Sequence, residues 1–194
     1  MSDSPILKSF NDAYSTLAEF IKNPVNISKV EKLAEQMATR FNEGHKVIIF
    51  GNGGSACDAA HFAEEFTGRY RKDRKALPVI TVNDAGHITC VSNDYGFKEV
   101  FRRTVQAFCT PNDIVIGLST SGNSENVILA MEEAKERGAV TVALIGKDGG
   151  KMKGRYDFEW IIPGETSDRI QEIHMLILHI IIEGVERILF PENY

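Results

Sequence analysis

Apolar residues along the chain fall into two rhythms. Near the start, Phe10, Ala13, Leu17 and Phe20 recur at spacings of three and four, which predicts a helix from Ser4 to Lys22, with a second from Ile27 to Glu43. Then the rhythm changes to continuous apolar runs stopped by turn residues: Val47-Ile48-Ile49-Phe50 before Gly51, Val79 to Val82, Ile114 to Leu118, Val140 to Ile145, and a weaker run from Phe158 to Ile162. A strand apolar at every position is buried on both faces. With helical stretches between the runs, notably Ser124 to Arg137, the alternation predicts an α/β fold. Its centre is a doubly wound, parallel, five-stranded sheet flanked by helices, with a ligand site at the strands' C-terminal ends. The expected layout is a single domain over 1–194, with N-terminal helices in 1–44, the α/β core in 45–165 and a C-terminal helix in 166–194.

That last helix, from about Ser167 to Leu189, is apolar nearly all round across Met175 to Ile182, so it is expected to be buried nearly all round. Packing between subunits is one way to bury it, and a homo-oligomer is expected in which the N-terminal and C-terminal helices pack between subunits. A central place in one subunit's core is the other.

Composition narrows the class. A chain of 194 residues with 43% hydrophobic and 25% charged residues suits one globular domain, and a net charge of −5 gives no electrostatic reason to expect nucleic acid. The three cysteines, Cys57, Cys90 and Cys109, form no CxxC pair, so neither a disulfide framework nor a thiolate zinc site is suggested. A reducing cytoplasm is the expected home. The stretch MSDSPILKSFNDAY lacks a basic region followed by an apolar core, and no run approaches the roughly 18 apolar residues of a membrane span.

Chemistry concentrates in three places. Gly51-Asn52-Gly53-Gly54-Ser55 follows one buried strand and precedes a helix, and Ser119-Thr120-Ser121-Gly122-Asn123-Ser124 follows another. Each offers backbone NH groups at a helix N-terminus, and the second adds hydroxyls, which suits a phosphate monoester. As caps alone, the same residues would only satisfy helix ends. Neither loop contains GxxxxGK[ST]. Gly51, Gly53 and Ala56 do match GxGxx[GA], with Asp84 after the next strand, yet Asp84 lies well beyond the usual spacing of about 20 residues for a dinucleotide site.

On the helix after the glycine turn, His61 and Glu65 lie about one turn apart and share a face. They are either a solvated pair or a proton-transferring carboxylate beside a metal-binding imidazole. Glu64, the rival carboxylate, points about 100° away. The final helix carries Asp168, Arg169, Gln171, Glu172, His174 and His179. His179 lies between Leu178 and Ile180, either as a satisfied core residue or as part of a site. Gln171 and His179 are separated by about 12 Å of rise and about 80° of rotation, so sharing one metal requires both side chains to reach together or to come from different subunits.

Together GNGGSACDAAHFAEEFTGRYR, SNDYGF, LSTSGNS, GKDGGKM and DRIQEIHMLILH, in that order, resemble the sugar isomerase (SIS) family and, within it, the phosphoheptose isomerases. The resemblance covers nearly the whole chain. It implies an aldose-ketose isomerase that converts sedoheptulose 7-phosphate to D-glycero-D-manno-heptose 7-phosphate through an enediol, the first step toward ADP-heptose for the lipopolysaccharide core. A zinc ion in each subunit of a homotetramer is implied as well. His61, Glu65, Gln171 and His179 would surround the zinc, with Glu65 and His179 as the acid/base pair. Ser119, Thr120, Ser121 and Ser124 would hold the phosphate. Asn52, Gly53, Gly54, Ser55, Glu65, Asn93, Asp94, Asp168 and Gln171 would meet the sugar. From another class, the chain is also similar to a non-catalytic SIS protein, the DnaA initiator-associating protein, most visibly at Leu189-Phe190-Pro191. The presence of Glu65 and His179 favours the enzyme.

Overall fold

Two capped helices open the chain. α1 (Pro5–Lys22) starts where the Ser4 hydroxyl accepts from the Leu7 NH, and α2 (Pro24–Asn42) where the Asn23 side chain accepts from the Val25 NH. Proline at the first helical position forfeits no NH that the helix needs. Pro24 and its cap therefore start α2 three residues before the apolar pattern predicts. The computed structural model describes residues 4–194, and the first three residues of the expected N-terminal helical segment lie outside it.

Five strands follow the predicted runs: β1 (Val47–Gly51), β2 (Val79–Thr81), β3 (Ile114–Ser119), β4 (Val140–Gly146) and β5 (Phe158–Ile162). Val82 is buried but has left the ladder, so β2 is one residue shorter than expected. All pairings are parallel, in the order β2-β1-β3-β4-β5. The chain thus runs outward from β1 to β2 and returns past β1 to β3. The reversal leaves a crevice above the C-terminal ends of β1 and β3, where open sheets of this kind bind ligands.

Alternate side chains of each strand feed two cores, as a period of two requires. Val47, Ile49, Ile114, Ile116, Leu118, Val142, Leu144, Trp160 and Ile162 face α2, α3 (Gly54–Thr67) and α7 (Ser167–Leu189). Ile48, Phe50, Val115, Ala143 and Ile145 face α4 (Ala85–Tyr95), α5 (Val100–Phe108) and α6 (Glu125–Glu136).

One face of α7 is buried within the subunit, through Ile173, Ile177, Leu178, Ile181, Ile182 and Val185. The remainder is not. Leu176 and Ile180 join Leu17, Ile21 and Ile27 around an apolar groove of about 350 Å³. Nearby on α1 the predicted stripe is only partly used: Phe20 is buried and Ala13 and Leu17 half-buried, while Phe10 is 71% exposed, as is Tyr14 beside the stripe at 73%. Among the described residues, no helix is long and apolar enough to cross a membrane.

His174 of α7 is fully buried, with its Nε2–H donating to the Ile145 carbonyl at 3.2 Å and no hydrogen bond at Nδ1. Burial pushes its pKa down to about 4, against a smaller opposing effect of that hydrogen bond. The folded protein therefore binds fewer protons than the unfolded chain between about pH 4 and about pH 6.5. Stability is full above that pH and falls by about 3 kcal/mol as the pH drops to about 4, then levels off as far as this group is concerned. His174→Gln, which retains a donor for Ile145 but does not titrate, is expected to flatten that part of a denaturation curve measured against pH. Parallel curves for the two proteins would contradict the assignment.

Candidate active site

The glycine turn and the hydroxyl-rich loop lie side by side at the crevice. Asn52, just after β1, and Asn126, in the first turn of α6, exchange amide hydrogen bonds of 2.9 and 2.8 Å, and Asn126 is almost fully buried. This reciprocal pair pins the two loops together. In the hydroxyl loop, Ser119 and Ser124 hydroxyls meet at 2.9 Å, Ser121 Oγ accepts from the Asn123 NH, and Thr120 Oγ1 lies 3.1 Å from Ser167 Oγ at the start of α7.

None of these hydroxyls is spent as a helix cap. Ser124 stands at the N-cap of α6 without a side-chain capping bond, and the same holds for Gly53 at α3 and Thr166 at α7. By contrast, α1, α2 and α4 are capped by Ser4, Asn23 and Asp84. The three helices that start around the crevice thus present uncapped N-termini, whose partial positive charge suits an anion. Asp84 Oδ1 accepts from the His87 NH at 2.7 Å, so its carboxylate caps α4 and the dinucleotide pattern loses its acidic partner.

A backing for the hydroxyl loop comes from a segment to which the residue pattern gave no role. Met152 NH donates to the Gly122 carbonyl and Lys151 NH to Asn123 Oδ1, while Gly122 itself sits at φ +64. A Cβ on Gly122 would fall 2.1 Å from the Gly149 carbonyl oxygen. Glycine is therefore required where the two loops touch.

Below the loops, three polar atoms from two helices converge. His61 Nε2 lies 3.2 Å from Glu65 Oε1 and 3.2 Å from His179 Nε2, and all three donor atoms are within 4.8 Å of one another. A ring nitrogen carries one hydrogen or one lone pair, so His61 Nε2 cannot bond well to both neighbours. Two imidazoles and a carboxylate around one point fit a divalent cation, and this donor set suits zinc with a position left open. Tyr70 stacks on His179 with ring centroids 6.0 Å apart. Burial lowers the pKa of His179, the neighbouring His61 adds to the effect, and Glu65 opposes it. One turn before His61, Asp58 has a carboxylate oxygen without a hydrogen bond, and burial pushes its pKa up to about 6 against the pull of His61.

The remaining candidates are spread around this centre. Gln171 lies against the glycine turn: its Nε2 is 3.5 Å from the buried Ser55 Oγ, and a Cβ on Gly54 would fall 2.5 Å from its Oε1. It thus stands two turns of α7 before His179, facing Gly54 and Ser55. Asp168 is exposed at the head of α7, and hydrogen bonds from Thr166 first, then Arg169, hold its pKa below the usual carboxylate range. Asn93 and Asp94 bond to each other on α4, at 2.9 Å. Asn126, Tyr70, Asp58 and the Gly149–Met152 backing are roles that the motif positions did not supply; they emerge from contacts with Asn52, His179, His61 and the Gly122–Asn123 turn, in that order.

Comparison with known proteins gives the same family that the motifs suggest. The SIS domain family matches residues 9–146. A phosphoheptose isomerase of Fusobacterium nucleatum is 59% identical over 97% of this chain and 97% of its own length, and one of Escherichia coli is 48% identical over 94% and 95%. Among solved structures, a phosphoheptose isomerase from Francisella tularensis superimposes with a TM-score of 0.88 at 31% identity, over 94% of this chain and 96% of that one.

Proposed function

We infer that this chain, which belongs to the SIS-domain family and within it to the phosphoheptose isomerases, interconverts sedoheptulose 7-phosphate and D-glycero-D-manno-heptose 7-phosphate. The observation that carries this reading is the meeting of His61 and Glu65 on α3 with His179 on α7, two helices that both start at the crevice where the serines of the hydroxyl loop are not used as caps.

Ser119, Thr120, Ser121 and Ser124 bind the phosphate, assisted by the N-terminus of α6. Anchoring the far end of the sugar orients the reacting carbons without taking part in the chemistry. Asn52, Gly53, Gly54, Ser55, Asn93, Asp94, Asp168 and Gln171 line the path of the sugar. Glu65 removes a proton from C1 of the ketose, leaving an enediol, and returns it to C2. His179 carries the hydroxyl proton from one oxygen to the other, so the product is an isomer with no atoms gained or lost. A carboxylate and an imidazole of lowered pKa suit these tasks near neutral pH. His61, Glu65 and His179 would hold zinc, and Gln171, which the resemblance adds to this set, would have to leave Gly54 and Ser55 or come from a different subunit to join them. When bound, zinc supplies polarisation of the substrate carbonyl and stabilisation of negative charge on oxygen.

Self-association is supported by the apolar groove between α1, α2 and α7 and by exposed Phe10 and Tyr14, and a homotetramer is the assembly that the resemblance implies. Three unpaired cysteines suit the cytoplasm, where the product would feed ADP-heptose synthesis. Zinc-loaded protein is expected to produce the aldose from sedoheptulose 7-phosphate, to lose that activity with a chelator, and to regain it with added zinc. Absence of product from the loaded protein would refute the reading, and would favour the binding module.

A further inference from the structure

Behind the convergence of His61, Glu65 and His179 lies a buried ion pair that joins the two helices carrying them. Arg74, in the loop after α3, and Glu186, near the end of α7, have side chains each 1% exposed, and Arg74 Nε donates to Glu186 Oε1 at 2.8 Å. The rest of the guanidinium closes the C-terminus of α3. Nη2 donates to the Glu65 carbonyl at 2.6 Å, and Nη1 to the carbonyls of Phe66 at 2.7 Å and Gly68 at 2.8 Å. Helix ends leave such carbonyls without partners, and water usually supplies the missing bonds. Here one side chain does so, and it starts at Glu65 itself. Glu186 is fixed from its other side, where the Tyr194 hydroxyl donates to Oε2 at 3.0 Å.

The spacing on α7 completes the geometry. Glu186 follows His179 by seven residues, which places both on nearly the same face, about 10 Å apart along the axis. Arg74 thus connects the backbone of Glu65 to the helix face that bears His179. Apart from the His61–His179 approach and a 3.5 Å contact between Gln171 and Ser55, α3 and α7 meet through apolar side chains of one core, such as Phe62, Phe66, Leu178 and Ile182, while the other ion pair from this loop to α7, Arg71 with Glu183, is solvent-accessible. Apolar contact is non-directional and tolerates sliding, whereas a guanidinium fork bonded to fixed acceptors does not. A buried ion pair adds little net stability compared with apolar residues of the same volume, so stability alone gives a weak account of its presence.

We propose that Arg74, held by Glu186, is a positioning residue that sets the register of α3 against α7 and so the distance between the His61–Glu65 pair and His179. The isomerase readout below rests on the function proposed above; the metal readout does not.

The test compares Arg74→Lys and Glu186→Gln with the wild type, using Co²⁺ as the probe metal. Lysine keeps the charge but cannot span the same acceptors, and glutamine keeps the shape of glutamate. Altered support of metal-binding residues changes metal affinity or activity by about 10–100-fold. Both variants are therefore expected to bind Co²⁺ at least about tenfold more weakly, with a changed visible absorption spectrum. kcat is expected to fall by a similar factor while KM stays within about twofold, because the phosphate loop lies on β3 and α6, away from the ion pair. Glu133→Gln serves as the control, since it weakens another cluster of arginine contacts, on α6, and leaves α3 and α7 untouched. Its Co²⁺ spectrum should match the wild type.

Folded variants with the wild-type Co²⁺ spectrum, Co²⁺ affinity and kcat would overturn the proposal. So would the same spectral change in Glu133→Gln, which would reveal a general loss of stability. If Arg74→Lys does not fold, Glu186→Gln decides, with Tyr194→Phe beside it, and wild-type behaviour in both overturns the proposal. A wild type that binds Co²⁺ but does not isomerise the sugar phosphate refutes the proposed function and leaves the positioning role to be decided by the spectra.

Discussion

Glu65→Gln is expected to leave a folded protein that binds sedoheptulose 7-phosphate and isomerises it about 10²–10⁴-fold more slowly, the range that a positioned general base contributes. Glutamine fills the same space and still offers an oxygen to His61 Nε2, 3.2 Å from the present Oε1. It cannot accept a proton from carbon. His179→Gln removes the other member of the pair and should have a comparable effect. Binding should survive in both, since the hydroxyls of Ser119 and Ser124 are held by each other and by β3 and α6. Calorimetry with the sugar phosphate and a product assay on the same preparations separate the two quantities. Turnover within about tenfold of the wild type in either variant would remove that residue from the acid/base pair.

The second large effect is expected from a single methyl group. Gly122→Ala places a Cβ 2.1 Å from the Gly149 carbonyl oxygen and 2.4 Å from its carbon, at a φ of +64. Backbone lies on both sides of this contact, so no side-chain rotation relieves it. The left-handed conformation costs about 1–2 kcal/mol and overpacking about 1–3 kcal/mol more. Together these lower the thermal midpoint by roughly 5–15 °C in a chain of this size. If the protein relaxes instead, Ser121 and Asn123 move away from their Gly149–Met152 backing, and KM for the sugar phosphate should rise more than about tenfold with kcat less affected. Wild-type values of both the midpoint and KM would show that the two loops are not in contact as described.

These two residues also mark what the sequence does and does not disclose. The strands were legible because a parallel strand covered on both faces is apolar at every position, and β1, β3 and β4 follow that pattern. His61 and Glu65 were legible because their relation is local, one turn of one helix. The loops after β1 and β3 were legible from glycine and hydroxyl content. What stayed hidden depends on partners distant in the chain: Asn126 bonds across 74 residues to Asn52, and Arg74 across 112 to Glu186. The role of the GKDGGKM stretch was hidden for the same reason, since it appears only where Gly149 meets Gly122. Periodicity gave the extent of α1 but not what covers its stripe: Phe10 stays 71% exposed, although Arg169 of α7 donates to the Ser9 carbonyl beside it.

The order of elements along the chain has a consequence for synthesis on the ribosome. Every strand of the sheet is made before α7, whose Ile173, Ile177, Leu178, Ile181, Ile182 and Val185 fill the core on one side of it. A nascent chain that has just completed β5 therefore carries a finished set of apolar strands with part of one face uncovered, an arrangement prone to aggregate. Since His179 arrives on that same helix, the step that protects the nascent chain is also the step that brings together His61, Glu65 and His179, the proposed catalytic centre.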